Sequence, residues 1–200
     1  PFINPKNYCR MKQYIKREFL TLGEIQSIVK VKLPVARLDR VRDIFLFSCF
    51  TGLTFDDVDK LKEYNIEVLE NGKRLMKIYN KIREIPLLTI PCMILDKYKG
   101  KLTDGKLLPL PRKAAMNYNL KEIARLCGIN RNLTFHLARH TFIGTVTVAN
   151  GISLKTVADI LGHTQLTCIR SFIVPTNDKV QGDMATLSGK LRKIEKLFNA

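Results

Sequence analysis

Thr134-Phe135-His136-Leu137-Ala138-Arg139-His140-Thr141-Phe142, followed further on by Leu161-Gly162-His163-Thr164, is the part of the chain whose reading decides the rest. Thr134 is placed to cap a long helix that runs to about Asn150 and is ended by Gly151. On that helix His136 and Arg139 are three apart and share a face, and His140 lies one turn from His136. The opening turn of a helix offers free N–H groups and the positive end of the macrodipole to an anion. Arg139 can hold a phosphate through two parallel hydrogen bonds, which lysine cannot. A histidine adds a hydrogen bond and can exchange a proton near neutral pH. His163 follows a helix end at Leu161-Gly162, from which a side chain can face a cleft. The chain has three histidines, and all of them fall between 136 and 163. One isolated histidine would be read as a surface or core residue; three beside helix ends with an arginine favour a site.

Metal binding is the competing chemistry, because His136 and His140 have the i, i+4 spacing of a zinc-binding helix. Leu137 and Ala138 stand between them, and neither can act as a base, so no metal is expected. The five cysteines, Cys9, Cys49, Cys92, Cys127 and Cys168, are odd in number and widely spaced. They fit neither a zinc ribbon nor a disulfide framework. Cys49 sits in an apolar run and reads as a small core residue.

The 200 residues carry 34 Lys and Arg against 18 Asp and Glu, a formal net charge of +16. That excess repels itself in the folded state and calls for a polyanionic partner, with nucleic acid first because phosphate neutralisation releases counterions. Hydrophobic residues make up 46%, enough for a normal core. No signal peptide and no apolar stretch of bilayer length is found. The chain begins at Pro1, without Met, which points to a piece of a longer protein.

Outward from the central segment, the pattern is helical with one interruption. Residues 1–20 are basic and aperiodic, with Lys6, Arg10, Lys12, Lys16 and Arg17, and read as a linker or arm. Thr21-Leu22-Gly23-Glu24 has capping-box spacing and opens a helix to about Lys30. A second helix is predicted from Leu38 into Ser48, ended by Gly52, and Thr54 starts a third to about Lys62. Between Ile66 and Thr89 the period changes to two. Asn71-Gly72 predicts a type I′ hairpin turn, and Ile85-Pro86-Leu87-Leu88 a third strand at a sheet edge. Helices return with Pro91 at N1 and run to Lys99, then from Ala114 to Cys127 closed by Gly128, then from Thr134, and from Ser153 to Leu161. Ile169–Val174 reads as a short helix. The tail Leu187, Leu191, Ile194, Phe198 has helical spacing, so residues 185–200 form a final helix. The fold class is α+β: mainly helical, with a small three-stranded antiparallel sheet.

Phe135-His136-Leu137-Ala138-Arg139-His140-Thr141-Phe142 with Leu161-Gly162-His163-Thr164 resembles the active-site core of the tyrosine recombinases, the phage integrase family, and most of all the integrases of Bacteroidetes mobile elements. Phe47-Ser48-Cys49-Phe50-Thr51-Gly52-Leu53 and Lys121-Glu122-Ile123-Ala124 before Cys127-Gly128-Ile129 fit the same type. The resemblance implies that residues 21–184 are a recombinase catalytic domain and that 1–20 link it to an N-terminal DNA-binding domain. It implies site-specific DNA integration by strand cleavage and rejoining through a 3′-phosphotyrosyl intermediate, with no cofactor. It also implies double-stranded DNA as partner, a homotetramer during recombination, accessory DNA-bending proteins, and a bacterial cytoplasmic, nucleoid-associated setting without a membrane. Residue by residue it assigns Arg139 to the scissile phosphate, His136 to the phosphate and to proton movement, and His163 to a non-bridging oxygen. His140 lies beside them on the phosphate. Lys81 becomes the lysine that protonates the leaving 5′ oxygen, with Lys77 as competitor; a solvated strand residue is the plain alternative for either.

Two positions depart from the family pattern. Its first arginine falls on Thr54, which has no charge to stabilise a pentacovalent phosphorane; Arg42 on the preceding helix is the expected substitute, and Arg40 the alternative. Its nucleophilic tyrosine falls on Phe172, and no tyrosine follows His163. Phenylalanine keeps the ring but lacks the attacking hydroxyl. The chain is therefore expected to be cleavage-deficient, either by a Tyr→Phe change or as a DNA-binding regulator that keeps the fold.

Overall fold

The structure is a computed structural model that describes residues 18–78, 83–102, 105–162, 182 and 184–186. Its centre is α2 (Ala36–Thr51), against which α4 (Thr89–Tyr98), α5 (Lys113–Leu126) and α6 (Phe135–Thr141) pack. The run Ile44-Phe45-Leu46-Phe47-Ser48-Cys49 is buried at every position, as expected of a helix enclosed on all sides. Phe45, Phe47, Leu38, Met116, Leu120 and Ile123 form the middle of the main core. Burying each of these side chains contributes roughly 1.5–3 kcal/mol.

Helix α1 (Leu22–Lys30) begins with the expected capping box, in which Thr21 and Glu24 satisfy each other's backbone N–H. The helix after Thr54 is short, α3 (Phe55–Asp59), also opened by a capping box, between Thr54 and Asp57. It stops well before Lys62 because a 3-10 turn at Glu63–Asn65 leads into the sheet. That sheet has strand order β1-β2-β3, with β1 (Ile66–Val68), β2 (Arg74–Ile78) and β3 (Arg83–Pro86) all antiparallel.

The hairpin turn differs from expectation. Leu69 and Lys73 still pair, and Gly72 N–H bonds back to Leu69 C=O at 2.9 Å, so the loop is Glu70-Asn71-Gly72 with Gly72 at φ +75°. This is a three-residue turn with a left-handed glycine, which the Asn-Gly pair alone does not distinguish from a two-residue one. Pro86 ends an edge strand, where its missing N–H costs no ladder bond. Pro91 sits in the first turn of α4 rather than at its first residue.

The helical run from Phe135 to Asn150 is present but not uniform. After α6 the hydrogen bonding widens to a π turn over Phe142–Thr147 and closes as 3-10 over Val148–Asn150, before Gly151 at φ +80°. Thr134 occupies the N-cap position, yet its side chain makes no capping bond. The Phe135 N–H is instead accepted by Asn117 Oδ1 of α5 at 2.9 Å. α7 (Leu154–Leu161) is capped by Ser153 and packs Val157, Ala158 and Leu161 against Phe142 and Ile143 in a second small cluster.

Among the described residues no helix is long and apolar enough to cross a membrane. Residues 1–17 and 187–200 lie outside the described residues, and with them most of the expected arm and C-terminal helix, as does the expected helix at Ile169–Val174.

Candidate functional site

Arg139 is the buried centre of the site, 8% exposed on the inner face of α6. Its Nη1 donates to the Gly52 carbonyl at 2.7 Å and its Nη2 to the Leu161 carbonyl at 3.1 Å. Gly52 and Leu161 lie at the C-terminal ends of α2 and α7, where carbonyls lack intrahelical donors and the macrodipole is negative. One guanidinium thus ties together two helix ends. Gly52 makes the convergence possible: at φ +72°, a Cβ added there would lie 2.6 Å from Phe142 Cδ1 and 2.7 Å from Leu161 Cδ2.

A second buried arginine lies beside it. Arg83 is the first residue of β3 and alternates inward with Ile85, at 6% exposure. Its Nη1 donates to the Ile160 carbonyl at 2.8 Å, and its Nη2 is 3.6 Å from Asp57 Oδ2. Its Nε and Nη2 are buried and meet no hydrogen-bond acceptor among the described residues. Gly162, at φ +66°, lies so close to this side chain that a Cβ would stand 2.8 Å from Arg83 Cδ.

The electrostatics follow from this geometry. Burial pulls the Arg139 guanidinium below its ordinary pKa, the like charge of Arg83 pulls in the same direction, and Asp57 opposes both. Burial likewise lowers Arg83, against the attraction of Asp57. Both remain cations near neutrality, because an arginine starts far above that range. Asp57 is itself 5% exposed and accepts the Thr54 N–H at 3.2 Å, while Thr54 Oγ1 accepts the Asp57 N–H at 3.2 Å. Thr54 therefore does not supply charge; it orients the carboxylate that faces Arg83. Among the described residues the two buried guanidiniums face one buried carboxylate, Asp57, an excess of positive charge that an anion would offset.

His136 is exposed at the mouth of a cavity of about 140 Å³ that Arg139, Thr54, Asp56, Lys113 and Asn117 also line. The His140 ring stands edge-on to His136, with centroids 4.4 Å apart. His140 Nδ1 lies 3.2 Å from the Glu18 carbonyl, and since a carbonyl only accepts, Nδ1 carries the proton. Among the described residues no three His, Cys, Asp or Glu side chains form a metal-binding group.

Arg139, His136 and His140 are thus brought together, and Arg42 is not brought to them. Arg42 is bound to Asp39, to Asp43 at 3.3 Å and to the Val31 carbonyl at 3.4 Å. It precedes Gly52 on α2 by ten residues, about 15 Å along a helix. Arg42 thus helps to balance a buried carboxylate, Asp43, which also accepts from Tyr98 Oη at 2.9 Å and Lys97 Nζ at 2.5 Å. Arg40 is exposed on α2. Lys77 is paired with Glu67 at 2.6 Å. Lys81, His163 and Phe172 lie outside the described residues. Sequence reading missed Arg83 and Asp57. The available signal for Arg83 was the strand alternation: extending the strand of Ile85 by two residues places an arginine on its inward face.

No protein-family model matches the chain, and no curated protein matches it. Solved structures do. The crystal structure of XerA recombinase is similar with a TM-score of 0.66 and 18% identity, over 92% of this chain and 66% of that one. XerH site-specific recombinase bound to its difH substrate gives 0.68 and 19%, over 85% and 54%. A Tyr→Phe variant of the Tn1549 transposon integrase, in complex with transposon right-end DNA, gives 0.66 and 17%, over 86% and 66%. The chain has the fold of a tyrosine-recombinase catalytic domain. It spans 54 to 66% of the length of these three proteins.

Proposed function

We propose that this chain is the catalytic domain of a site-specific DNA recombinase of the integrase type, and that Arg139, Arg83 and His136 hold a backbone phosphate of double-stranded DNA. The observation that carries the reading is the buried pair of guanidiniums, with Arg83 Nε and Nη2 meeting no hydrogen-bond acceptor among the described residues and Nη2 only ion-paired to Asp57, beside an exposed histidine in a chain of net charge +16. The fold shared with DNA-bound recombinases supports it. So does the resemblance of the sequence motifs to those of integrases of Bacteroidetes mobile elements.

Arg83 takes the place of Arg42 as the second cation at the phosphate. In the parent reaction a tyrosine Oη at position 172 gives its proton to His136 and attacks the phosphorus. The 5′ oxygen leaves with a proton from Lys81, giving a 3′-phosphotyrosine and a free 5′ hydroxyl. Attack by an incoming 5′ hydroxyl reverses these bonds and rejoins the strand. The two arginines, with His136 and His163, offset the charge that builds on the non-bridging oxygens. The phosphodiester energy is conserved in the phosphotyrosine, so no nucleotide or metal enters. A homotetramer on two duplexes, accessory DNA-bending proteins and a bacterial cytoplasmic setting accompany this reading. With Phe172 in place of the nucleophile, the chain holds DNA without cutting it.

The test is Phe172→Tyr. Duplexes selected from a randomised pool by the unchanged chain are nicked to make suicide substrates. Phe172→Tyr is expected to form a covalent protein–DNA adduct, and the unchanged chain none. Tight binding by Phe172→Tyr with no adduct would instead favour a DNA-binding regulator that keeps the recombinase fold.

A further inference from the structure

Glu18–Leu20 lies against α6 and the π turn that follows it. The Leu20 N–H donates to Thr141 Oγ1 at 3.0 Å, and the Leu20 carbonyl accepts from Thr145 Oγ1. The Phe19 carbonyl accepts from Arg131 Nη1 at 3.0 Å, and the Glu18 carbonyl from His140 Nδ1 at 3.2 Å. All three carbonyls of the segment are therefore bound, two by the helical run that carries His136 and Arg139 and one by the loop that leads into it. Leu20 is fully buried. The Phe19 ring lies on Gly144, where a Cβ would stand 2.7 Å from Phe19 Cγ. Gly144 and Thr145 belong to the π turn, and such turns are frequent where a helix is locally reshaped for a function.

Packing alone would need Phe19 and Leu20. It would not need the third anchor, in which Glu18 fixes the ring of His140, whose edge-on partner 4.4 Å away is His136. We infer that Glu18–Leu20 is a positioning strap: its seating on α6 sets the His136 ring through His140, so that its displacement changes how tightly the pocket holds a phosphate. His140 and Gly144 are positioning residues in this arrangement. The inference rests on the phosphate-pocket reading and adds an input to it.

With three histidines in the chain, ring proton–carbon NMR gives a readable set of signals, assigned with His136→Gln and His140→Gln. The probe is inorganic phosphate, titrated into the full chain. Phe19→Ala is expected to move both the His140 and His136 signals and to weaken phosphate binding by about tenfold, the loss of one hydrogen bond to a charged group. Phe19→Leu, which keeps the apolar contact on Gly144, is expected to restore both. A Phe19→Ala spectrum in which His140 moves while His136 and the phosphate affinity stay put overturns the strap. If Phe19→Ala fails to fold, Arg131→Gln loosens the same segment and is read by the same signals. If phosphate does not bind the unchanged chain at all, the pocket reading fails separately, and the shift of the His136 signal on Phe19→Ala alone decides the coupling.

Discussion

Arg139 donates to the carbonyl of Gly52, 87 residues earlier in the chain, at 2.7 Å. The bond joins the end of α2 to the helix of the site, and it depends on a residue without a side chain. Substituting Gly52→Ala places a Cβ in a left-handed backbone and 2.6 Å from the Phe142 ring. The first effect costs about 1 kcal/mol and the second about 1–3 kcal/mol. A loss of roughly 2–4 kcal/mol is expected, measured as a lowered midpoint in urea unfolding. Phosphate affinity should fall with it, because the same shift moves the acceptor that fixes Arg139.

Arg83 and Arg139 should separate by experiment. Arg83→Gln removes a cation whose Nε and Nη2 have no hydrogen-bond acceptor among the described residues. It is expected to weaken binding to a duplex by about tenfold to a hundredfold, one charge-assisted contact. It should also reduce the slope of log affinity against log salt by about 1. Arg139→Gln should do both and lower the unfolding midpoint further than Arg83→Gln does, because Arg139 holds the ends of two helices and Arg83 the end of one. Arg42→Gln should leave the salt slope unchanged and act on stability alone, by exposing Asp39 and Asp43 to each other. Filter binding over a salt series, beside urea unfolding of each variant, reads all three. A change of salt slope in Arg42→Gln without one in Arg83→Gln would return the assignment to Arg42.

Most of the architecture was legible because it was written in local signals. Capping boxes at Thr21 and Thr54, left-handed glycines at 52, 128, 151 and 162, and the switch to period two after Ile66 each act within a few residues. The meeting of Arg139 and His136 at one cavity was legible because their spacing puts them on one helical turn. Arg83 was not, because its burial is decided by the pairing of β3 with β2 and by the closeness of Gly162. Arg42 misled for the complementary reason. It lies near Thr54 in sequence, but the distance along α2 and the two aspartates beside it turn its charge to another task. The π turn after α6 was also hidden, since Phe142–Thr147 has the same apolar spacing as an ordinary helix.

The thiols offer an independent check on the core. Burial raises Cys49 well above the ordinary thiol pKa, and the residue is fully enclosed in α2. The reactive thiolate is therefore suppressed and shielded. Cys92 and Cys127 are also raised by burial, yet both keep partial exposure. Iodoacetamide at neutral pH is expected to label Cys92 and Cys127 slowly in the native chain, and Cys49 only at the rate of global unfolding. Mass spectrometry of timed digests reports each site. Labelling of Cys49 as fast as Cys92 would mean that α2 is not the enclosed helix described.

An anion should stabilise the fold through the two arginines. Their depressed pKa values mean that folding holds charge where charge is disfavoured. For a base whose folded pKa lies below its unfolded one, the penalty is present at all pH values below the folded pKa. It is relieved only as pH rises through it, which for arginine is strongly alkaline. Around neutrality the penalty is therefore constant, and a bound dianion offsets it. Sulfate is the useful ligand, since its charge does not change between pH 6 and 9. At about ten times its dissociation constant, it should add about 1.4 kcal/mol, a rise of roughly 3–5 °C in Tm for a domain of this size. From the arginines alone the rise is flat with pH. Arg83→Gln should abolish most of the sulfate effect at every pH, measured by scanning calorimetry with chloride at matched ionic strength. An equal sulfate response in the unchanged chain and in Arg83→Gln would place the anion elsewhere on this basic surface and remove Arg83 from the site.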